Sequence, residues 1–80
     1  MDKTSIYNVA NLRQEIILLT LNEVIDSLSR KGYNAENQLV GYLLTGDATY
    51  ISNFEGAREK IKKIKREEVL LALINSYEGK

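Results

Sequence analysis

Between Leu12 and Lys31, apolar residues recur every three or four positions, the spacing of a helix that buries part of its surface. Plotted at about 100° per residue, Ile17, Leu21, Val24, Ile25 and Leu28 share one side. Leu12, Ile16 and Leu19 fall on nearly the opposite side. A helix that is apolar on two sides in its first half has to be covered from two directions. Asn11 has N-cap chemistry, with Gln14 three residues on, and Gly32 offers a C-terminal stop because it reaches positive φ freely. The pattern predicts a helix from about Leu12 to Lys31, preceded by a segment without strong periodicity.

The stretch "GYNAENQLVGYLLTGDATY", residues 32–50, resolves into two helix starts. Asn34 is an N-cap for a short helix over 35–45 that stops at Gly46, and Asp47 caps a further helical turn over 48–51. Ser52-Asn53-Phe54-Glu55 has capping-box spacing and is expected to open the next helix, with Phe54, Ala57, Ile61 and Ile64 as its apolar stripe. On that helix Arg58, Lys62, Lys65 and Arg66 fall at i, i+4, i+7 and i+8 along one flank. A last helix over 67–77 carries Val69, Leu70, Leu73, Ile74 and Tyr77 inward, with Glu67 and Glu68 near its N-terminus, where the helix dipole favours them. The pattern leaves open whether it continues from its predecessor. With no period-2 segment and no proline, the reading is all-α: a compact bundle of about four to five short helices. Residues 1–10 are expected to be a flexible regulatory tail and 11–80 a single helical dimerisation domain.

Size changes this picture. A chain of 80 residues buries only about 60–65% of its unfolded surface, so its core needs help from a disulfide, a metal or a second subunit. The sequence has no cysteine and no histidine, so neither a disulfide, a thiolate site nor an imidazole ligand is expected, and no cofactor is. A homodimer is the simplest cover for the two-sided helix. Its contact is expected at Ile16 and Leu19, or at the opposite-face pair Leu21 and Val24. Tyr33, Tyr42 and Tyr50 read as core and interface residues rather than a base-stacking platform.

Net charge is zero, yet residues 58–66 hold six basic residues and one acidic, so the rest of the chain sums to −5. A coherent positive flank at Arg58, Lys62, Lys65 and Arg66 suits an acidic client or adaptor surface, arginine binding carboxylates bidentately. Catalysis requires a tuned acid, base or nucleophile. Serines, threonines, tyrosines and carboxylates without histidine or cysteine to activate them point away from an enzyme. No apolar run is long enough for a membrane span, and the N-terminus lacks a signal-peptide core, so no membrane insertion is expected and the cytoplasm is the expected location. Thr4 and Ser5 place hydroxyls in the tail, where phosphorylation adds about −1.5 to −2 charge, enough to draw it toward the basic flank.

Several of these residues together resemble a known family. Lys31-Gly32-Tyr33-Asn34, then Asn37 to Leu44, then Gly46-Asp47 with Tyr50, are similar to the IreB/ReoM family of small cytoplasmic regulators of Gram-positive bacteria. Ala57-Arg58, Ile61, Lys63 and Arg66-Glu67-Glu68 extend the likeness. The resemblance implies a helical homodimer with a flexible tail, phosphorylated on a threonine by a membrane Ser/Thr kinase with extracellular PASTA repeats and reset by a cognate phosphatase. It implies control of peptidoglycan synthesis and of resistance to wall-active antibiotics. In part of the family, the unphosphorylated protein promotes Clp-protease degradation of the first enolpyruvyl transferase of that pathway. The family's Asp-x-Thr motif falls on Asp2-Lys3-Thr4, which makes Thr4 the acceptor and Ser5 the alternative. The chain departs from the family in Ala35 and Ala48, where proline is common after the caps, and in Lys65, which replaces an acidic residue.

Two other functions compete with a phospho-switched adaptor. Short helices joined by tight turns resemble helix-turn-helix units, so a small nucleic-acid-binding protein is the alternative. Zero net charge weighs against it, and no nucleic acid is expected as a partner. A structural dimerisation module without client or modification is the third.

Overall fold

The computed structural model describes residues 3–79, with side chains described from Leu12 onward. Four α-helices and no strand occur among the described residues: α1 (Lys3–Lys31), α2 (Ala35–Thr45), α3 (Ala57–Lys62) and α4 (Arg66–Glu78). Two 3-10 turns, Ala48–Tyr50 and Phe54–Gly56, lie between α2 and α3. At about 1.5 Å per residue, the 29 residues of α1 span ~43 Å, which sets the long dimension of the 45 × 23 × 22 Å molecule.

The expected N-cap at Asn11 is not formed, because α1 runs through it from Lys3. Residues 3–11 contain neither proline nor glycine. An interior asparagine costs a helix only ~0.7 kcal/mol or less, so nothing forces the chain out of helix there.

One stripe of α1 makes the core. Ile17, Leu21, Val24 and Leu28 recur at i, i+4, i+7 and i+11 and are buried against Ala35 and Tyr42 of α2, Ile51, Ala57 and Ile61 of α3, Ile64, and Val69 and Ala72 of α4. Ile25, on the edge of that stripe, is 39% exposed. The opposite stripe stays uncovered by its own chain, with Leu12, Ile16 and Leu19 between 50% and 63% exposed. Leu21 and Val24 are therefore spent within the fold and are removed as candidates for contact with a second chain.

Punctuation around α2 follows the local chemistry. Asn34 Oδ1 accepts the Asn37 N–H at 3.0 Å, and Gly46, at φ +75°, closes the helix with its N–H on the Tyr42 carbonyl at 2.7 Å. Asp47 Oδ1 accepts both the N–H and the hydroxyl of Thr49, at 3.0 and 2.7 Å. Those bonds hold the Asp47 carboxyl below its usual range.

Two local expectations fail for reasons of tertiary pairing. Ser52 and Glu55 do not form a capping box. Ser52 instead exchanges bonds with the Gln38 amide, its N–H donating to Oε1 at 2.8 Å and its Oγ accepting from Nε2 at 3.0 Å. Glu55 sits at φ +54°, an uncommon region for a residue with a Cβ. There its carboxylate receives Arg30 through Nη2 at 2.6 Å and Nη1 at 3.3 Å and is also hydrogen-bonded by the buried Ser27. The helix starts only after Gly56, itself at φ +75°. Phe54 consequently leaves the expected stripe and lies 5.4 Å beneath the Lys31 ammonium.

The last two helices are separate. α3 ends at Lys62 with tightened i→i+3 bonds from Lys63 and Ile64, Lys65 is extended, and α4 opens with the Glu68 carboxylate accepting the Lys65 backbone N–H at 3.1 Å. A continuous helix would hold Arg58, Lys62 and Arg66 at i, i+4 spacing, where each like-charge pair costs about 0.2–0.5 kcal/mol.

Glu68 also receives Arg13 through two bonds of 2.8 and 2.9 Å, tying α4 to α1. Arg13 first, then the Lys65 N–H, holds the Glu68 carboxyl down at about 2, against an ordinary 4.5. Because the folded pKa is depressed, this stabilisation is complete above about pH 4.5 and is lost as pH falls toward 2. Asp47 and Glu55, also lowered, act in the same direction. Glu68→Gln is expected to melt below wild type at pH 7, with the gap closing by about pH 2; parallel melting curves across that range would exclude the pairing.

Candidate functional site

The four cations of the expected partner-binding flank do not share one helix. Arg58 and Lys62 belong to α3, Lys65 to the turn after it, and Arg66 opens α4. The single positive ridge inferred from spacing is thus divided by the break between α3 and α4.

Arg58 and Arg66 nevertheless converge on one stretch of chain, the end of α2 and the turn that follows. Arg58 Nε donates to the Ile51 carbonyl at 2.8 Å, and its charge helps keep Asp47 ionised. Arg66 Nη1 reaches the Leu43 carbonyl at 3.4 Å, and its guanidinium lies 3.1 Å from where a Cβ on Gly46 would stand. It therefore sits at the C-terminal end of α2, where unsatisfied carbonyls and the helix dipole favour a cation. Beneath it Tyr42 is buried, and that burial pushes its phenol above the usual range although Arg66 opposes the shift.

Both arginines are half-buried latches as well as charges. Their remaining N–H groups make no hydrogen bond among the described residues, which leaves two forks able to receive an anion beside the Gly46-Asp47 turn. Lys62 is exposed and pairs with Glu59 at 3.5 Å. Lys65 is exposed and makes no ion pair among the described residues.

Gly41 shapes the same surface. A Cβ there would stand 2.5 Å from Tyr50 Cδ1 and 3.0 Å from its Cγ, so the ring lies against the backbone of α2 only because position 41 has no side chain. Val40, Leu44 and Tyr50 stay at least half exposed. Alanine in mid-helix usually gains up to about 1 kcal/mol over glycine, whereas forcing atoms into a packed contact costs about 1–3 kcal/mol. Gly41→Ala is therefore expected to be destabilising by up to about 2 kcal/mol and to change the near-ultraviolet dichroism of the tyrosines. A more stable variant with an unchanged tyrosine signal would show that the ring yields freely.

Thr4 and Ser5, the candidate acceptors, lie in the first turns of α1. Asp2, the start of the Asp-x-Thr motif, lies outside the described residues. Ile16 and Leu19 present the uncovered stripe of α1. A second uncovered apolar surface lies on α4, where Leu70, Leu71, Leu73, Ile74 and Tyr77 are all exposed; the spacing had sent four of these inward, but only Val69 and Ala72 of α4 are buried. Lys60, which spacing does not single out, and Lys63, which enters only through the family likeness, stand with Arg13 around a groove on the other side of α3 and its C-terminal end. Among the described residues no helix is long and apolar enough to cross a membrane.

A family model described as IreB regulatory phosphoprotein matches residues 2–78, which takes in the N-terminal hydroxyls, α2 with its turn, and both arginine latches.

Proposed function

The chain belongs to the IreB family of regulatory phosphoproteins, and from that premise we propose that it is a phospho-switched adaptor controlling peptidoglycan precursor synthesis in the cytoplasm. A membrane PASTA Ser/Thr kinase marks Thr4, and a cognate phosphatase removes the mark. In the unmarked state the protein presents a client, the first enolpyruvyl transferase of the pathway, to Clp protease, and wall-antibiotic resistance follows the client's level. The protein performs no catalysis of its own and works as a homodimer.

The observation that carries this reading is the family match over nearly the whole chain, tail included. The Arg58 and Arg66 forks beside Gly46-Asp47 are the client surface in this reading, with Lys62 and Lys65 at its margin. Because both arginines also hold backbone carbonyls, charge reversal would disturb the turn itself. Substitution to lysine keeps the charge but removes the fork, and is the cleaner probe. For the homodimer, the supporting observation is apolar surface left over on neighbouring helices, Leu12, Ile16 and Leu19 of α1 and the exposed face of α4, in a chain too small to leave such area uncovered. A two-fold axis pairs such a face with its own copy.

Intact-protein mass from kinase-positive and kinase-null cells, with the modified residue mapped, tests the switch. A phosphate on Thr4 that is absent without the kinase is the expected result. A mark confined to Ser5 would move the acceptor, and no mark in either strain would overturn the proposal.

A further inference from the structure

On the side of α3 away from Arg58 and Lys62, a groove of about 300 Å³ runs between α1 and α3. Ile16, Thr20 and Ile64 contribute its less polar lining, and Arg13, Lys60 and Lys63 stand around it with a single carboxylate, Glu23. The cations are unequally engaged. Arg13 is held by Glu68, Lys60 reaches Glu23 only at 3.8 Å, and Lys63 makes no ion pair among the described residues. Three positive charges around isoleucine, with one acid in the lining, complement a ligand that is both acidic and apolar. The volume suits one or two side chains rather than a helix.

We propose that this groove is a second docking surface, taking an acidic segment of a partner protein that seats an apolar side chain between Ile16 and Ile64 and sets its carboxylates on Lys60 and Lys63. It rests on the adaptor reading only in having a protein as its ligand. Arg58 and Lys62 point to the other flank of the same short helix, so the two surfaces do not overlap and two partners bind at once. An adaptor that joins a client to a second protein requires such a pair of faces. Ile16 stands at the edge shared by this groove and the α1 stripe left for a second copy of this chain, and the α4 carboxylate nearest the lysines, Glu68, is already held by Arg13, so the acid matched to Lys60 and Lys63 is assigned to a different protein.

The test is an NMR titration of the full-length protein with an N-acetylated peptide of sequence Glu-Leu-Glu-Glu-Leu-Glu. Two control peptides replace leucine by glycine or glutamate by lysine. The expected result is amide shifts centred on Thr20, Lys60, Lys63 and Ile64, with both controls and the Lys60→Gln, Lys63→Gln variant binding about tenfold or more weakly, the loss for a buried leucine side chain in the glycine control and for one or two charge-assisted contacts in the others. Far-ultraviolet dichroism checks the variant's helicity, and Lys63→Gln alone serves if the pair perturbs it. Shifts centred on Arg58 and Arg66, equal binding of the glycine control, or undiminished binding by the variants would overturn the proposal. So would self-association of the protein through the groove. Neither the kinase nor its acceptor enters this measurement, so its failure leaves the Thr4 switch standing, and failure to find phosphate on Thr4 leaves the groove standing.

Discussion

Val24→Asp is expected to unfold the protein, while Leu19→Asp, five residues earlier on the same helix, leaves each subunit folded and separates the dimer. Val24 is fully buried between α1 and the rest of the core. Its replacement loses about 1.5–3 kcal/mol of apolar burial and buries a carboxylate with no partner, which costs several kcal/mol more or forces protonation. A chain of this size has about 4–12 kcal/mol in total, so the variant should lose its cooperative thermal transition. Leu19 is 63% exposed in the single chain, and a carboxylate there remains hydrated until a second copy covers it. Light scattering of Leu19→Asp should therefore give a mass near 9.1 kDa with helicity retained, against twice that mass for wild type. A wild-type monomer at micromolar concentration would end the dimer reading. A Leu19→Asp dimer combined with an Ile74→Asp monomer would move the contact to α4.

These two residues mark how far the sequence carried. The stripe at Ile17, Leu21, Val24 and Leu28 is legible because helical spacing alone puts it on one side. That α1 is apolar on two sides is legible too, but not which side its own chain covers, since that depends on where α3 and α4 lie. The caps at Asn34 and Asp47 and the stop at Gly46 are written in bonds that span two to four residues, so residue type and spacing suffice. Ser52 and Glu55 have the same local signature and fail because Gln38 and Arg30, 14 and 25 positions away, compete for them. The Arg13–Glu68 tie spans 55 positions and has no local signal. At the candidate site, charge identified Arg58 and Arg66, but their hold on the Ile51 and Leu43 carbonyls depends on the break after α3, which no proline or glycine announces. Lys60 is not singled out by spacing, and Lys63 enters only through the family likeness, because the spacing argument follows one flank of α3 and the groove lies on the other.

Thr4→Ala is expected to abolish kinase-dependent regulation without altering the melting temperature, and Thr4→Ser to restore the phosphate. The threonine lies in the first turns of α1, and alanine has a higher helix propensity than threonine, so the substitution is not expected to weaken that helix. How the mark acts follows from the same geometry. A flexible tail of ten residues could lay its phosphate on Arg58, Lys62, Lys65 or Arg66, which is the simplest electrostatic switch in the sequence alone. With α1 helical from Lys3, however, Thr4 stands nine residues, or ~13.5 Å, above Arg13 along the helix. Arg58 and Arg66 belong to helices packed on the α1 stripe that runs from Ile17 to Leu28, so docking of a phosphate on them within the same chain is expected to require those first turns to unwind. The first turn of α1 contains no acidic residue, and an anion there gains about 0.3–1 kcal/mol from the helix dipole, which favours the helical arrangement. Phosphorylation is thus expected to raise helicity over residues 3–11 and to leave backbone NMR signals over 58–66 unmoved at low salt, so that the mark is read by another protein. Signals over 58–66 that shift on phosphorylation and relax as salt rises would show that the helix unwinds and the tail docks on its own subunit or its partner.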